Sequence, residues 1–158
     1  MSSSLPIGPG VDLTRVDLSS ADLTGADLTD ANLNRADLTG ANLKNANLNG
    51  AKLTYVNLHR ADLAGVSLVG ADLTGAKLTN TMLHDANLSN ANLIVAVLTG
   101  ANLAYANLTG ANLMIAVLSN ADLSNANLTD VNLSGAMYTA QTLWPDGFDP
   151  VKAGALQL

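Results

Sequence analysis

The chain contains no cysteine and no glutamate, and aromatic residues make up only 3% of its 158 positions. Without cysteine there is no disulfide framework, no zinc–thiolate site and no thiol nucleophile. With one Phe and one Trp, a core must be filled by something other than rings. No apolar run approaches the roughly 18–20 residues needed to cross a bilayer as a helix. The opening, Met1-Ser2-Ser3-Ser4-Leu5-Pro6, lacks the basic region and apolar stretch of a signal peptide, so a soluble cytoplasmic protein is expected. Cations are scarce too, 7 against 13 aspartates, giving a net charge of −6. A basic stripe for nucleic acid is therefore not expected.

What the chain has in abundance is Leu and Ala, and they recur. Leu occupies every fifth position from Leu13 to Leu133, 25 times without exception. Two residues before each Leu stands a small side chain, Ala at 19 positions, Val at five and Thr81 at one. Between them lies Asp eight times or Asn eleven times, the others being Lys52, Ser67, Lys77, Met82, Val97 and Val117. The unit is A-(D/N)-L-x-x, unbroken over 11–135.

A period of five cannot be an α-helix. Each step of five residues turns through about 500°, so the leucines would scatter over every face. Nor can it be one straight strand, in which residues five apart point to opposite sides. Within a unit, however, the small residue and the Leu are two apart and share a face. The chain must then turn a corner so that the next pair also points inward. The fifth position supplies that corner: it is Gly nine times, Asn five times and Asp three times. These residues accept left-handed dihedrals at least cost. The Asp or Asn before each Leu is placed to bond a nearby backbone amide, a structural role.

This A-(D/N)-L-x-x array closely resembles the pentapeptide-repeat family over about four-fifths of the chain. The resemblance implies an all-β fold, a right-handed quadrilateral β-helix with four pentapeptide units to each coil. A position should then recur above itself after every fourth unit. The sequence carries its own check on that number. In 91–110 and 111–130 the apolar pairs Ile94/Met114, Val95/Ile115 and Val97/Val117 align only at a spacing of 20. About six coils are expected, roughly 30 Å of rod at about 4.8 Å per layer. The expected organisation is a lead-in at 1–10, the β-helix at 11–135 and a C-terminal cap at 136–158. The cap rests on Tyr138, Trp144 and Phe148, three of five aromatics in the chain. The stretch Trp144–Pro150 resembles tails of cyanobacterial members. At the other end only Leu5, Pro6 and Ile7 offer a cover.

Chemistry is hard to find in this pattern. His59 and His84 are separated by five whole units, which puts them on different faces and coils, and no ligand set converges on either. A filled prism leaves no concave pocket for a catalytic triad. No enzyme activity, no cofactor and no metal are expected. The leading expectation is a non-catalytic scaffold or protein-interaction module acting through its outer faces. Its partner is an unknown protein or a second copy, without direct nucleic-acid or membrane contact. The rival follows from the resemblance: some family members that protect DNA gyrase are thought to mimic DNA, so a regulator of a type II topoisomerase is the alternative. Those members tend to carry central Phe residues and projecting loops, which this array lacks. Against its polar surface one feature stands out. Ile94, Val95, Val97, Met114, Ile115 and Val117 form an outward apolar patch, either a contact surface or a seat for the chain's own tail.

Overall fold

In a computed structural model, which describes residues 7–158, the array winds into a stacked coil that repeats every fourth unit. Four parallel ladders run along it. Asp12–Asn32–Lys52–Asp72–Asn92–Asn112–Asn132 marks the first face, and the ladders through Asp17, Asp22 and Asp27 mark the second, third and fourth. No α-helix occurs among the described residues.

The unit 71–75 shows why the sequence folds this way, because every amide in it has a destination. Asp72 N donates down to Ala51 O at 3.0 Å, while Leu73 N and Gly75 N donate up to Asn92 O and Ile94 O at 2.7 and 2.9 Å. Ala76 N closes the corner on Leu73 O at 2.9 Å. The fourth amide, Thr74 N, has no carbonyl within reach and is taken by Asp72 Oδ1 at 3.1 Å. That orphan donor explains the Asp/Asn preference at the second position, since buried or half-buried amides must be paired.

All 25 corner residues from Arg15 to Gly135 have φ between 53° and 68°. The side chains two and four positions earlier in each unit turn inward: the leucines and most alanines are buried and form one continuous core. Thr81, the one hydroxyl in a small-residue column, satisfies itself inside by donating to Leu58 O at 2.8 Å.

Of the six units without Asp or Asn at the second position, two are mended from the coil below. Where Lys52 replaces Asp/Asn, Asn34 Oδ1 accepts from Thr54 N at 2.9 Å, and where Ser67 does, Asn49 Oδ1 accepts from Val69 N at 2.9 Å.

The ladder register continues beyond residue 135. Val117 pairs with Met137 and Asp122 with Leu143, the latter one residue longer than the repeat. Tyr138 thereby follows Leu118 and Trp144 follows Leu123 in their inward columns. Strand β1 (Met137–Tyr138) then pairs in parallel with β2 (Leu156–Gln157). Tyr138 and Trp144 meet edge to face with centroids 5.4 Å apart, and Phe148 stacks on Trp144 at 5.4 Å. Tyr138 is 6% exposed and Trp144 and Phe148 pack against the core. At the opposite end Val11, Val16, Ala21 and Ala26 are only half-buried. Of the residues expected to cover that end, Leu5 and Pro6 lie outside the described residues, and Ile7 is exposed.

Candidate interaction edge

The six apolar residues singled out by the sequence come together at the corner between the first and second faces. Val95 and Ile115 are successive corner residues, 40% and 48% exposed with the tail in place. Ile94 and Met114 flank them on the first face and Val97 and Val117 on the second, all four half-buried. The second-face ladder runs Val97–Val117–Met137, and Met137 pairs in turn with Leu156. Met137 stands one full coil after Val117 and was legible in the periodicity. Leu156 was not, because an irregular loop brings it back.

The patch is locally unfavourable to the fold that carries it. Val95 and Ile115 have φ of 53° and 58°, a region where β-branched side chains are genuine outliers. Strain of this kind costs on the order of 1–3 kcal/mol per residue. Val97 and Val117 also displace the carboxamide that would take the fourth amide of their units. The amides of Thr99 and Ser119 accordingly have no protein partner among the described residues. Packing does not require any of this, since the core beneath is the same Ala and Leu as elsewhere.

The same corner continues towards the N-terminus through Gly75, Tyr55, Arg35 and Arg15. The Arg35 guanidinium lies 5.9 Å from the centroid of the Tyr55 ring. Tyr55 in turn leans over Gly75, where an added Cβ would stand 2.5 Å from the ring.

Charge is divided unevenly around the rod. Arg15, Arg35, Lys52, Arg60 and Lys77, five of the 7 cations, belong to the first and second faces and their corners. They meet four aspartates there, whereas the third and fourth faces hold seven aspartates and one lysine. That lysine, Lys44, is paired with Asp62 at 2.9 Å, and Lys152 in the tail pairs with Asp149 at 3.1 Å. None of the five cations on the first two faces forms an ion pair among the described residues.

The carboxylates at the second position of the units are engaged in turns. Asp12, Asp17, Asp22 and Asp27 are held below the ordinary carboxylate value, first by the hydroxyls of Thr14, Ser19, Thr24 and Thr29 and then by the amides of the same residues. Asp149 is lowered chiefly by the amide of Lys152. His59 and His84 sit on the second and third faces, and His84 Nδ1 lies 3.0 Å from Asp85 Oδ2. No group of three or more His, Cys, Asp or Glu able to hold a metal occurs among the described residues. No helix of the described residues is long and apolar enough to cross a membrane. An open cleft of about 380 Å³ beside the tail is lined by Ala126, Leu128, Pro145 and Phe148, with Asp146 as its one ionisable group.

Comparison with known proteins agrees with this architecture. The family model described as pentapeptide repeats matches in overlapping copies from residues 10–45 through 96–135. Among solved structures, the chain is similar to HetL, a pentapeptide repeat protein involved in heterocyst differentiation regulation from the cyanobacterium Nostoc sp. strain PCC 7120. The identity is 32% over 85% of this chain and 72% of that one, with a TM-score of 0.56. It is similar to alr5209, a pentapeptide repeat protein from Nostoc PCC 7120, at 35% identity over 71% of this chain and 84% of that one, TM-score 0.46. QnrB1, a plasmid-mediated fluoroquinolone resistance protein, shares the fold at 21% identity over 98% and 92% of the two chains, TM-score 0.67. No curated protein sequence matches the chain.

Proposed function

We propose that this chain, which belongs to the pentapeptide-repeat family and has its right-handed β-helical fold, is a non-catalytic module that binds a protein partner through the edge between its first and second faces. The observation that carries this reading is the pair Val95 and Ile115, two exposed β-branched residues held one coil apart at φ of 53° and 58°. A corner that accepts Gly or Asn anywhere keeps its strained, apolar occupants only where something outside the core selects them. In this reading the rod has six coils. Residues 136–158 close its C-terminal end, with Tyr138, Trp144 and Phe148 replacing leucine where the repeat stops. The aromatic stack and the burial of Tyr138 support that role.

The test is capture of partners from an extract of the source organism by wild-type protein and by the double variant Val95→Asp/Ile115→Asp. A partner retained in stoichiometric amount by the wild type and lost by the folded variant supports the module. Retention by both, or by neither, removes the edge as the working surface.

A second reading, a DNA-mimicking regulator of a type II topoisomerase, has one observation in its favour. The third and fourth faces concentrate seven aspartates and a single lysine. Duplex DNA carries about one charge per 1.7 Å, so a rod of about 30 Å would need roughly 18, well above this wall. A gyrase supercoiling assay with increasing protein separates the two readings. Activity that changes with dose and survives Val95→Asp/Ile115→Asp would favour the mimic.

A further inference from the structure

At the last coil the tail supplies backbone partners to three of the four faces. On the second, Met137 N donates to Ala116 O at 2.8 Å and Met137 O accepts from Leu118 N at 2.7 Å. On the third, Leu143 does the same for Ala121 O and Leu123 N at 2.9 and 2.7 Å, and on the first, Gly154 O accepts from Gly135 N at 2.9 Å. The fourth face ends without a successor. Ala126 O, Leu128 N and Asp130 N are the groups that should meet a next strand, and they have no partner among the described residues. One coil below, the same groups of Ala106, Leu108 and Gly110 are all bonded to Asn127 or Thr129 at 2.9 Å. The tail cannot fill the gap itself. Pro145 has no N–H to give, and the segment from it is spent on a turn, closed by Phe148 N on Pro145 O at 3.1 Å. Ala126 and Leu128 are accordingly 6% and 8% exposed, against 0% for Ala106 and Leu108. Here lies the open cleft of about 380 Å³, between the wall residues Ala126, Leu128 and Thr129 and the tail residues Pro145, Asp146 and Phe148.

We infer that this gap is a second binding site, separate from the corner of Val95 and Ile115, and that it takes an extended, basic segment of a partner protein as one added parallel strand. The wall dictates the form of that ligand, because an unpaired strand edge is a template for another strand. Leu143 shows the register one face away. A single ligand residue would donate its N–H to Ala126 O and accept from Leu128 N. The carbonyl two residues further on would accept from Asp130 N, as Thr129 O does from Gly110 N. Alternate side chains of the segment then face Ala126, Leu128 and Phe148, where small apolar groups fit. Charge dictates the rest. Asp146 in the cleft and Asp130 at the adjoining corner form no ion pair among the described residues, and Lys152 is already held by Asp149. No cation lines the cleft, and the second positions of the wall beneath, Asn107 and Asn127, are neutral. A lysine or arginine flanking the segment would meet these two free carboxylates. A second copy of the chain fits less well. Stacked end to end, its first coil would bring Asp12, Asp17, Asp22 and Asp27 towards the same aspartates, and its Met1–Pro6 has no basic side chain.

The probe is a capped synthetic peptide of about seven residues, alanine and threonine alternating between a lysine at each end. One companion carries glutamate for both lysines. Another keeps the lysines but is N-methylated through its middle, which removes the donor for Ala126 O. Amide exchange of the full chain, resolved by NMR, compares Leu128 and Asp130 with Leu108 and Gly110. Fluorescence of Trp144, the single tryptophan, which stacks on Phe148, follows the titration. In the free chain Leu128 and Asp130 should exchange at least about tenfold faster than Leu108 and Gly110, and saturating lysine peptide should slow them at least about tenfold. Both companions should bind at least about tenfold more weakly. In Asp130→Asn/Asp146→Asn, which places the common Asn at the corner, the preference for lysine over glutamate should vanish while the protection by peptide remains. Absence of protection, equal binding of the N-methylated peptide, or a lysine preference that survives the double variant overturns the inference. So does protection of Leu128 and Asp130 in the free chain: if it grows with protein concentration the gap belongs to a second copy, and if not, to the chain itself. None of these readouts involves Val95 or Ile115, so this site and the corner surface stand or fall separately.

Discussion

Ile115 lies one coil above Val95 at the same corner, and both backbones are left-handed, at φ 58° and 53°. Asn occupies five of the equivalent corners and Gly nine, so this stack is a choice against the local preference. Replacing Val95 by Asn should relieve strain and raise stability by about 1 kcal/mol, a gain of about 2–4 °C in Tm for a chain of this size. Partner binding should weaken at the same time. Thermal unfolding and the capture experiment together check it; a destabilised Val95→Asn protein would remove the strain argument.

Leu73 is fully buried in a middle coil. Its replacement by Ala should cost about 2–5 kcal/mol through lost burial and the cavity left behind. Thr74, next along, is half-buried, donates from Oγ1 to Asp72 Oδ1 at 2.6 Å and accepts from Asn92 Nδ2 at 3.0 Å. Thr74→Ala should therefore cost about 1 kcal/mol, more than an outward position alone suggests. Urea denaturation of both variants gives the comparison, and equal costs would contradict the inward–outward assignment.

Asn34 carries a hydrogen bond that belongs, by pattern, to position 52, accepting from Thr54 N at 2.9 Å in place of Lys52. Asn34→Ala should destabilise by about 1 kcal/mol. In a Lys52→Asn background, where the local acceptor is restored, the loss should shrink to about 0.3 kcal/mol. A double-mutant cycle in urea reads the coupling; additivity would mean the two acceptors do not substitute for each other.

Acid should attack the first coil before the others. Asp12, Asp17, Asp22 and Asp27 have lowered values because the ionised carboxylates accept from Thr14, Ser19, Thr24 and Thr29. For a carboxyl depressed in the folded state, the stabilisation is present above the unfolded value and lost as pH falls through the folded one. The window is thus below pH of about 4. In later coils Asn serves most of these turns without a titrating proton, as Asn107 does for Thr109 at 3.1 Å. Amide exchange at Thr14, Ser19, Thr24 and Thr29 should accelerate in that window ahead of Thr109, and uniform loss across the coils would refute the local cause.

The tail is testable by removal. Truncation after Gly135 would strip Tyr138, Trp144 and Phe148 from the last leucines and open a strand edge along the third-face ladder at Asp122, which now pairs with Leu143. Loss of cooperative unfolding or aggregation is expected. A truncated chain that remains monomeric and as stable as the full one would show that the aromatics are no cap.

The period of five by itself determined the corners, the inward Ala and Leu columns and the stacking at every fourth unit. Each follows from side-chain direction and from which residues accept a left-handed backbone, both local properties. It also marked the six apolar positions as outward, because they fall where Asp, Asn and Thr stand elsewhere. Three things depended on neighbours distant in sequence, and only the tertiary structure decided them. Asn34 and Asn49 support turns one full coil ahead, a substitution invisible within any one unit. Leu156 extends the valine ladder beyond Met137 because β2 pairs with β1 across an irregular loop. The cations gather on two of four faces because the winding places positions 15, 35, 52 and 77 side by side while carrying most aspartates round to the other walls. Periodicity gives each residue a direction from the axis; only the closed winding says which directions coincide.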